Sequence, residues 1–564
     1  MATIFGSGLV GPGNPQFDLV IGGTSMAINF IPNDPLSPQP ATRKQSPRPG
    51  RPAGRAGLTF TNPSPEQQYD LKANPKEFLY WQCREAALLA VETWESLAGN
   101  LTAWSPEAVD PKSLEVDNDH VAPEISGTQK LNAYYDRAGL RFFIYDSGSK
   151  TYYSGLSTDT VTHEAGHALL DSLRPEFFDS LRPEVNAFHE SFGDCWALLS
   201  ALTDKETRQA VLKACPTLDK PNFVESLSEY LSQAILEVIG AVSPSKPRHA
   251  RNKFQYQLPT TLSPGKPEDP PEFLSAEPHS FSRVFTGCFY DTVVNLFATA
   301  PIQNEASLLA AAQTAGRLLI AAARVARHTS RFYLEMGQRM VQADQSLSGG
   351  ANAAAIQKAF AGHNLTLGGT GVISTPTTAL AGEPPTFRAV GAHLTASTLK
   401  DLRNRMSAEK GSKFAVSSIS VAGKKVAEVR HRREIPLAVI DKRLKGVVAY
   451  AMDSVQVGES GQRAAVLGAM PNLDRANDEI SHFVKSLVQM DRIVFDAKKP
   501  RSHSSKKKTA AVASADAYAE RTVNASAVPT HIVRTRGSKK VLERIRFVCG
   551  PCCHGHSGHI VKTR

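Results

Sequence analysis

The feature that most constrains the fold is a cluster of ionisable residues within an apolar stretch, His163-Glu164-Ala165-Gly166-His167. Two histidines four residues apart lie on one face of a helix, so both imidazoles can reach a single metal ion. Val161 precedes the cluster and Ala168-Leu169-Leu170 follows it, which favours a buried helix over the alternative of two histidines on a solvated face. Burying such groups without a partner costs free energy. The cluster therefore predicts a zinc site in which His163 and His167 are ligands and Glu164 lies beside the bound water.

A second predicted helix, residues 185–199, places two carboxylates on one face of an otherwise apolar run. These are Glu190 and Asp194, which are four residues apart. Glu190 can complete a tetrahedral zinc site, and Asp194 can accept a hydrogen bond from the far nitrogen of a ligating histidine. Taken alone, the pair could equally form an exposed acidic face. Next to the histidine cluster, it indicates a metal site built from two helices.

Together these segments resemble the thermolysin-like zinc metallopeptidases, whose third ligand is a glutamate on a downstream helix. The segment His189-Glu190-Ser191-Phe192-Gly193-Asp194 is similar to the family's N-E-x-x-S-D-like segment, with His in place of Asn and Gly in place of Ser. Asp171 also matches an acidic position of the family. The resemblance implies that Glu190 is the third zinc ligand and that Asp171 and Asp194 support the ligands from behind.

Two further segments extend the resemblance over roughly residues 75–345. Leu131-Asn132-Ala133-Tyr134-Tyr135 resembles the family's edge strand, which implies that Asn132 and Ala133 bind the substrate backbone. Pro278-His279-Ser280-Phe281-Ser282-Arg283 resembles the segment whose histidine stabilises the oxyanion, with Arg283 where Gly is usual. His279 is therefore expected to have that role.

The implied activity is hydrolysis of a peptide or protein, in which Glu164 takes a proton from zinc-bound water and later passes it to the leaving amine. The chain departs from the family in two ways. It has no Tyr between residues 168 and 189, and only Arg248 and Arg251 are candidates for the substrate-binding arginine. The alternative is a catalytically weak or inactive protein that keeps the fold as a binding or scaffolding module. The intact Glu164 favours the enzyme, whereas the missing Tyr favours the alternative.

Composition bears mainly on the organisation of the chain, which has 564 residues, 39 Gly, 36 Pro and a formal net charge of +10. The predicted class is α+β: a thermolysin-like core with a mainly helical catalytic part and a short edge sheet, a small second domain and disordered termini. The predicted units are a disordered Pro/Gly-rich arm (1–70), the peptidase domain (75–345), a linker (350–394), a small α+β domain (395–497) and a basic disordered tail (498–564).

The tail ends in a cluster of cysteines and histidines that suits a second zinc ion, with Cys549, Cys552, Cys553 and His554 as candidate ligands. A reactive tail or a disulfide is the alternative. The basic residues could contact nucleic acid or acidic lipids, but few aromatic residues lie among them, and a solvated arm is favoured. No apolar run long enough to cross a membrane and no secretory signal are visible, so a cytoplasmic location is the default expectation.

Overall fold

The computed structural model describes residues 27–37, 42–62, 71–120, 131–239, 248–265, 272–368, 376–388, 391–408, 412–460, 462–468, 470–495 and 528–549. The helices are α1 (Pro75–Ala98), α2 (Thr158–Leu173), α3 (Pro175–Phe178), α4 (Pro183–Thr203), α5 (Lys205–Ala214), α6 (Glu229–Ile239), α7 (Pro278–Ala298), α8 (Glu305–Val325), α9 (Phe332–Ser348), α10 (Ala353–Ala361), α11 (Ala396–Arg405) and α12 (Leu473–Gln489). The first strands are β1 (Ile28–Phe30), β2 (Arg43–Gln45), β3 (Gly57–Phe60), β4 (Ser113–His120), β5 (Ala133–Tyr135), β6 (Gly139–Asp146), β7 (Thr151–Tyr153), β8 (Ser226–Leu227) and β9 (Arg248–His249). The remaining strands are β10 (Pro376–Ala379), β11 (Thr386–Arg388), β12 (Gly391–His393), β13 (Phe414–Val421), β14 (Lys424–Pro436), β15 (Val447–Ser460), β16 (Arg463–Leu467), β17 (Ile493–Val494), β18 (His531–Arg536), β19 (Lys539–Arg544) and β20 (Phe547–Val548). The fold is mixed α+β, which confirms the α+β part of the prediction.

The largest core lies among helices α1, α2, α4, α7, α8 and α9. Helix α4 is apolar on nearly every face, the pattern of a helix with neighbours all round, and its residues from Pro183 to Leu202 are buried. The Trp196 ring on this helix stacks on Phe192 with centroids 5.6 Å apart and lies 5.5 Å from the Trp94 ring of α1. This packing holds α4 rigidly against its neighbours.

Helix α8 is the described helix long and apolar enough to cross a membrane by length and composition. Of its most apolar window, 56% is buried inside the fold, and it packs on α7 and α9. An internal helix of a globular protein has this character.

The first sheet lies beside the helices and has the strand order β20-β5-β6-β4-β3, with β7 also paired to β6. Strands β3, β4 and β6 run parallel to one another, whereas β5 is antiparallel to β6. On its other side, β5 pairs with β20, which comes from the far end of the chain. The edge strand predicted at Asn132–Tyr135 is therefore covered by a C-terminal segment.

The second sheet has the strand order β10-β16-β15-β19-β18-β17, with β14 also paired to β15 and β13 to β14. Helix α12 packs on it with the buried residues Ile480, Phe483, Val484 and Leu487, whose spacing of three and four residues defines an amphipathic helix. Arg182, at the start of α4, is buried against Asp453 of β15 and donates to the Ser330 hydroxyl at 2.7 Å. A buried ion pair thus joins the sheet to the helices.

Three predicted segments have more structure than the sequence indicated. Residues 531–548 of the predicted disordered tail form β18, β19 and β20. The predicted arm contains β1, β2 and β3, and the predicted linker contains α10. The composition of these segments does not reveal such short elements, because partners distant in sequence stabilise them. Examples are β5 for β20 and β15 for β19.

Candidate metal centre and active site

Two glycines allow α2 and α4 to approach closely at the site. A Cβ atom added to Gly166 would lie 2.9 Å from Cβ of Trp196, and one added to Gly193 would lie 2.7 Å from Nδ1 of His163. Contacts under 3.0 Å are essentially never seen for real Cβ atoms. The absence of a side chain at Gly193 thus leaves room for the His163 ring.

The three predicted zinc ligands lie together between these helices. The Glu190 Oε2 atom is 3.5 Å from Nε2 of His163 and 3.7 Å from Nε2 of His167. Ligand atoms about 2.0–2.1 Å from a tetrahedral zinc are about 3.3 Å apart, close to these separations. All three atoms are buried, and none of them forms a hydrogen bond among the described residues. Such orphaned donors and acceptors suit a metal ion.

Glu164 belongs to the same group of side chains. Its carboxylate oxygen and one ring nitrogen each from His163 and His167 all lie within 4.8 Å of one another. Burial, followed by the negative charge of Glu190, raises the pKa of Glu164 to about 8, against the opposing charges of His163 and Arg248. A carboxyl with a pKa near neutrality suits general acid–base chemistry.

Each of the two histidines, His163 and His167, has a polar partner at its Nδ1 atom. Asp194 Oδ1 lies 3.1 Å from Nδ1 of His163, within ion-pair distance, and its supporting role stays a prediction. For His167 the partner is His189, whose Nδ1 is 2.9 Å from the His167 Nδ1. Each arrangement turns the Nε2 atom of the ligand toward Glu190. His189 was not predicted as a site residue, although a histidine in an apolar helix was the available signal.

The charges around the site favour the metal-binding forms of two of the three ligands, His167 and Glu190. At His163, burial and Arg248 lower the pKa, but Asp194 and Glu190 outweigh them and raise it, which favours the protonated imidazole. Burial, and then the neighbouring His163, hold the pKa of His167 well below its usual range, so that imidazole is neutral. Burial alone would raise the pKa of Glu190, but His279, His163 and Arg248 outweigh it and lower that pKa to about 2. A neutral imidazole and an ionised carboxylate are the forms that bind zinc.

His279 faces the ligands from the first turn of α7. Its Nε2 atom is 3.3 Å from Glu190 Oε2, and its Nδ1 atom is 2.7 Å from Oε1 of Glu277. Burial lowers the pKa of His279, but Glu190 and Glu277 outweigh it and raise that pKa to about 9. His279 is therefore a protonated donor at neutral pH. Glu277 is not among the predicted site residues, and it also caps α7 by accepting from Ser280 N–H at 2.9 Å.

The two candidate arginines are separated by the structure. Arg248 is buried, with its guanidinium 3.2 Å from Asp194 and 3.9 Å from Glu190. Arg251 instead donates to the Leu218 carbonyl oxygen at 3.0 Å, outside the site. Arg248 is thus the arginine that adds positive charge beside the ligands.

The remaining predicted residues lie in two places. Asn132 and Ala133 are at the start of the edge strand β5, where Asn132 Oδ1 accepts from Ala133 N–H at 2.8 Å. Asp171 accepts from the Tyr135 hydroxyl at 2.9 Å and from two nitrogens of Arg137 at 2.8 and 3.0 Å. The supporting role of Asp171 therefore stays a prediction, and its observed ion pair with Arg137 lies next to the end of β5.

The end of the described chain fills the cleft beside these residues. The Phe547 ring stacks on His189 and His167 with centroids 4.0 and 4.7 Å apart. The Cys549 thiol is buried 3.9 Å from Arg248 Nη2 and 4.0 Å from the Ser228 hydroxyl. Cys549 is a predicted ligand of a second zinc ion, and its thiol lies in the cleft beside Arg248. Its role as a ligand stays a prediction. Cys552, Cys553 and His554 lie outside the described residues.

We expect Gly193→Ala to weaken zinc binding by about 10- to 100-fold, the usual loss when the support of a ligating histidine is disturbed. The added methyl group would overlap the His163 ring and displace it from Glu190. Competition with a zinc-chelating dye measures the affinity, and Ser200→Ala, a buried change on the same helix, is the control. Unchanged affinity in Gly193→Ala would contradict this placement of His163.

Comparison of the chain with models of known protein families finds no match, and comparison with curated proteins finds none either. The chemistry of the site is therefore inferred from its own side chains.

Proposed function

We propose that the protein is a zinc-dependent endopeptidase. The observation that carries this proposal is the convergence of His163, His167 and Glu190, with a buried carboxyl, Glu164, on the same side. Two imidazole nitrogens and one carboxylate oxygen form a donor set that catalytic zinc sites use, with water as the fourth ligand. Zinc held there supplies Lewis acidity and lowers the pKa of that water toward neutrality.

The side chains around this position have complementary roles. Glu164 takes the proton from the attacking water and passes it to the leaving amine, which requires a base whose pKa is near the working pH. His279, protonated and held by Glu277, donates a hydrogen bond to the oxygen that becomes negatively charged. Asp194 and His189 hold the two ligating imidazoles in one tautomer and orientation.

The substrate class follows from β5. Its backbone accepts an added strand, and an extended peptide binds such an edge through main-chain hydrogen bonds. The resemblance of four segments to the thermolysin-like peptidases supports the same substrate, because the structure brings those segments together at one cleft. A thermolysin-like core is part of this proposal.

The second candidate is a protein without turnover that keeps the site for binding. It is favoured by one observation, the buried segment Phe547–Cys549 that fills the cleft. A protein whose cleft is permanently filled by its own chain would bind zinc and cleave nothing.

A casein assay on the full chain separates these candidates. We expect zinc-loaded protein to cleave labelled casein, a chelator to abolish cleavage, and added zinc to restore it. Phe547→Ser, which removes the ring stacked on His167 and His189, is assayed in parallel so that a filled cleft does not hide activity. Glu164→Gln is the inactive control. Failure of both the wild type and Phe547→Ser to cleave, with zinc bound, would favour the second candidate.

A further inference from the structure

The C-terminal segment lies in the cleft in the manner of an extended peptide. Strand β20 runs antiparallel to β5, with Phe547 opposite Tyr135 and Val548 opposite Tyr134. Phe547, Val548 and Cys549 are each at most 2% exposed. The segment is held on its N-terminal side by Arg546, whose guanidinium lies 4.4 Å from the Tyr134 ring centroid, and by Arg544, which donates to Asn186.

One peptide unit of this segment has both of its polar groups bound by predicted site residues. The Val548 carbonyl oxygen is 2.8 Å from Nε2 of His279. The Cys549 N–H donates to the Ala133 carbonyl oxygen at 2.9 Å. The carbonyl and the amide of the Val548–Cys549 bond are therefore held by the proposed oxyanion donor and by the edge strand.

The residue that follows this bond lies beside the same group of side chains. The Cys549 thiol is 3.9 Å from Nη2 of Arg248, and the same guanidinium is 3.9 Å from Glu190 Oε2. A segment that merely protected the edge of β5 from other strands would need only backbone pairing. Contact of its carbonyl oxygen with His279, which also lies 3.3 Å from Glu190 Oε2, indicates a more specific role.

We infer that the Val548–Cys549 bond is a substrate of the site, and that the chain cuts itself there. This inference rests on the proposed peptidase function. Water adds its oxygen to the Val548 carbonyl carbon, the carbon–nitrogen bond breaks, and Glu164 carries a proton from the water to the Cys549 nitrogen. The products are a chain ending in the Val548 carboxylate and the peptide Cys549–Arg564, which leaves with a free amine and vacates the pocket beside Arg248.

The intact mass of the full-length protein tests the inference. We expect wild-type protein, expressed or reconstituted with zinc, to lose Cys549–Arg564 and end at Val548, while Glu164→Gln keeps its full mass. Cys549→Pro should also stay intact, because proline has no N–H to donate to Ala133. Its zinc content and circular dichroism should match those of the wild type.

Hydrogen exchange and the casein assay distinguish failure of the self-cleavage proposal from failure of the peptidase proposal. Hydrogen exchange of zinc-free Glu164→Gln protein should show protection of the Cys549 amide, and rapid exchange there would overturn the placement of the segment. If casein is cleaved while the wild-type chain stays intact or is cut elsewhere, the peptidase proposal stands and self-cleavage is wrong. If the chain stays intact and casein is not cleaved by the wild type or by Phe547→Ser, both proposals fail.

Discussion

Replacing Glu190 with alanine is expected to remove zinc from the protein, whereas replacing Glu164 with glutamine leaves zinc bound and abolishes turnover. Glu190 Oε2 lies within 3.7 Å of Nε2 of both histidines, so it is in ligand position. We expect its loss to weaken zinc binding by more than about 100-fold, the upper end for residues that only support a ligand. Glutamine at 164 cannot accept the water's proton, and kcat should fall by about 10²–10⁴-fold.

The two variants are matched, since each removes one buried carboxylate from the same cluster. Zinc content after dialysis and kcat for a peptide substrate are measured on both, with circular dichroism to check folding. Equal loss of zinc in the two variants would contradict the assignment of Glu190 as ligand and Glu164 as base.

Replacing His279 with alanine should lower kcat by about 10²–10³-fold, the usual cost of removing one oxyanion donor. The change should leave zinc content intact, because His279 is not a ligand in this account. The effect is expected at the upper end, because no Tyr between residues 168 and 189 is present to share the task. KM should change less than kcat, because the hydrogen bond strengthens as charge develops on the oxygen.

A steady-state comparison of wild type and His279→Ala on a short peptide measures this effect. Arg251→Ala, which changes a cation outside the site, is the control and should have wild-type kcat. Wild-type turnover in His279→Ala would show that this histidine is only structural and would leave the oxyanion donor unidentified.

The helical half of the site could be predicted from the sequence because its spacing is local. His163 and His167 share one face of α2, and Glu190 and Asp194 share one face of α4, whatever the rest of the fold does. The start of α1 at Pro75 and the strand Phe414–Val421 follow from equally local patterns. The apolar run Leu437–Ile440 reads locally as a strand but forms a turn between β14 and β15, in which Ile440 N–H donates to the Leu437 carbonyl oxygen.

The rest of the site depends on contacts between residues far apart in sequence. Asp171 matched an acidic position of the resembled family, but its partners are Arg137 and Tyr135, which sequence spacing does not reveal. Strand β20 is two residues long, and its partner β5 lies some four hundred residues earlier. A segment this short has no alternating hydrophobic pattern by which the sequence could predict it. The hairpin that precedes β20 does have a turn signal in the sequence, because the two residues Gly537 and Ser538 separate β18 and β19. Gly537 adopts a positive φ of 61° there.

The central claim is that His163, His167 and Glu190 form a zinc site. Metal analysis of the full chain, by plasma mass spectrometry after dialysis against zinc-free buffer, tests it most directly. We predict that wild-type protein retains about one more zinc per chain than Glu190→Ala, as expected for a tightly held catalytic ion. Equal zinc content in the two proteins, or none in the wild type after loading, would contradict the account.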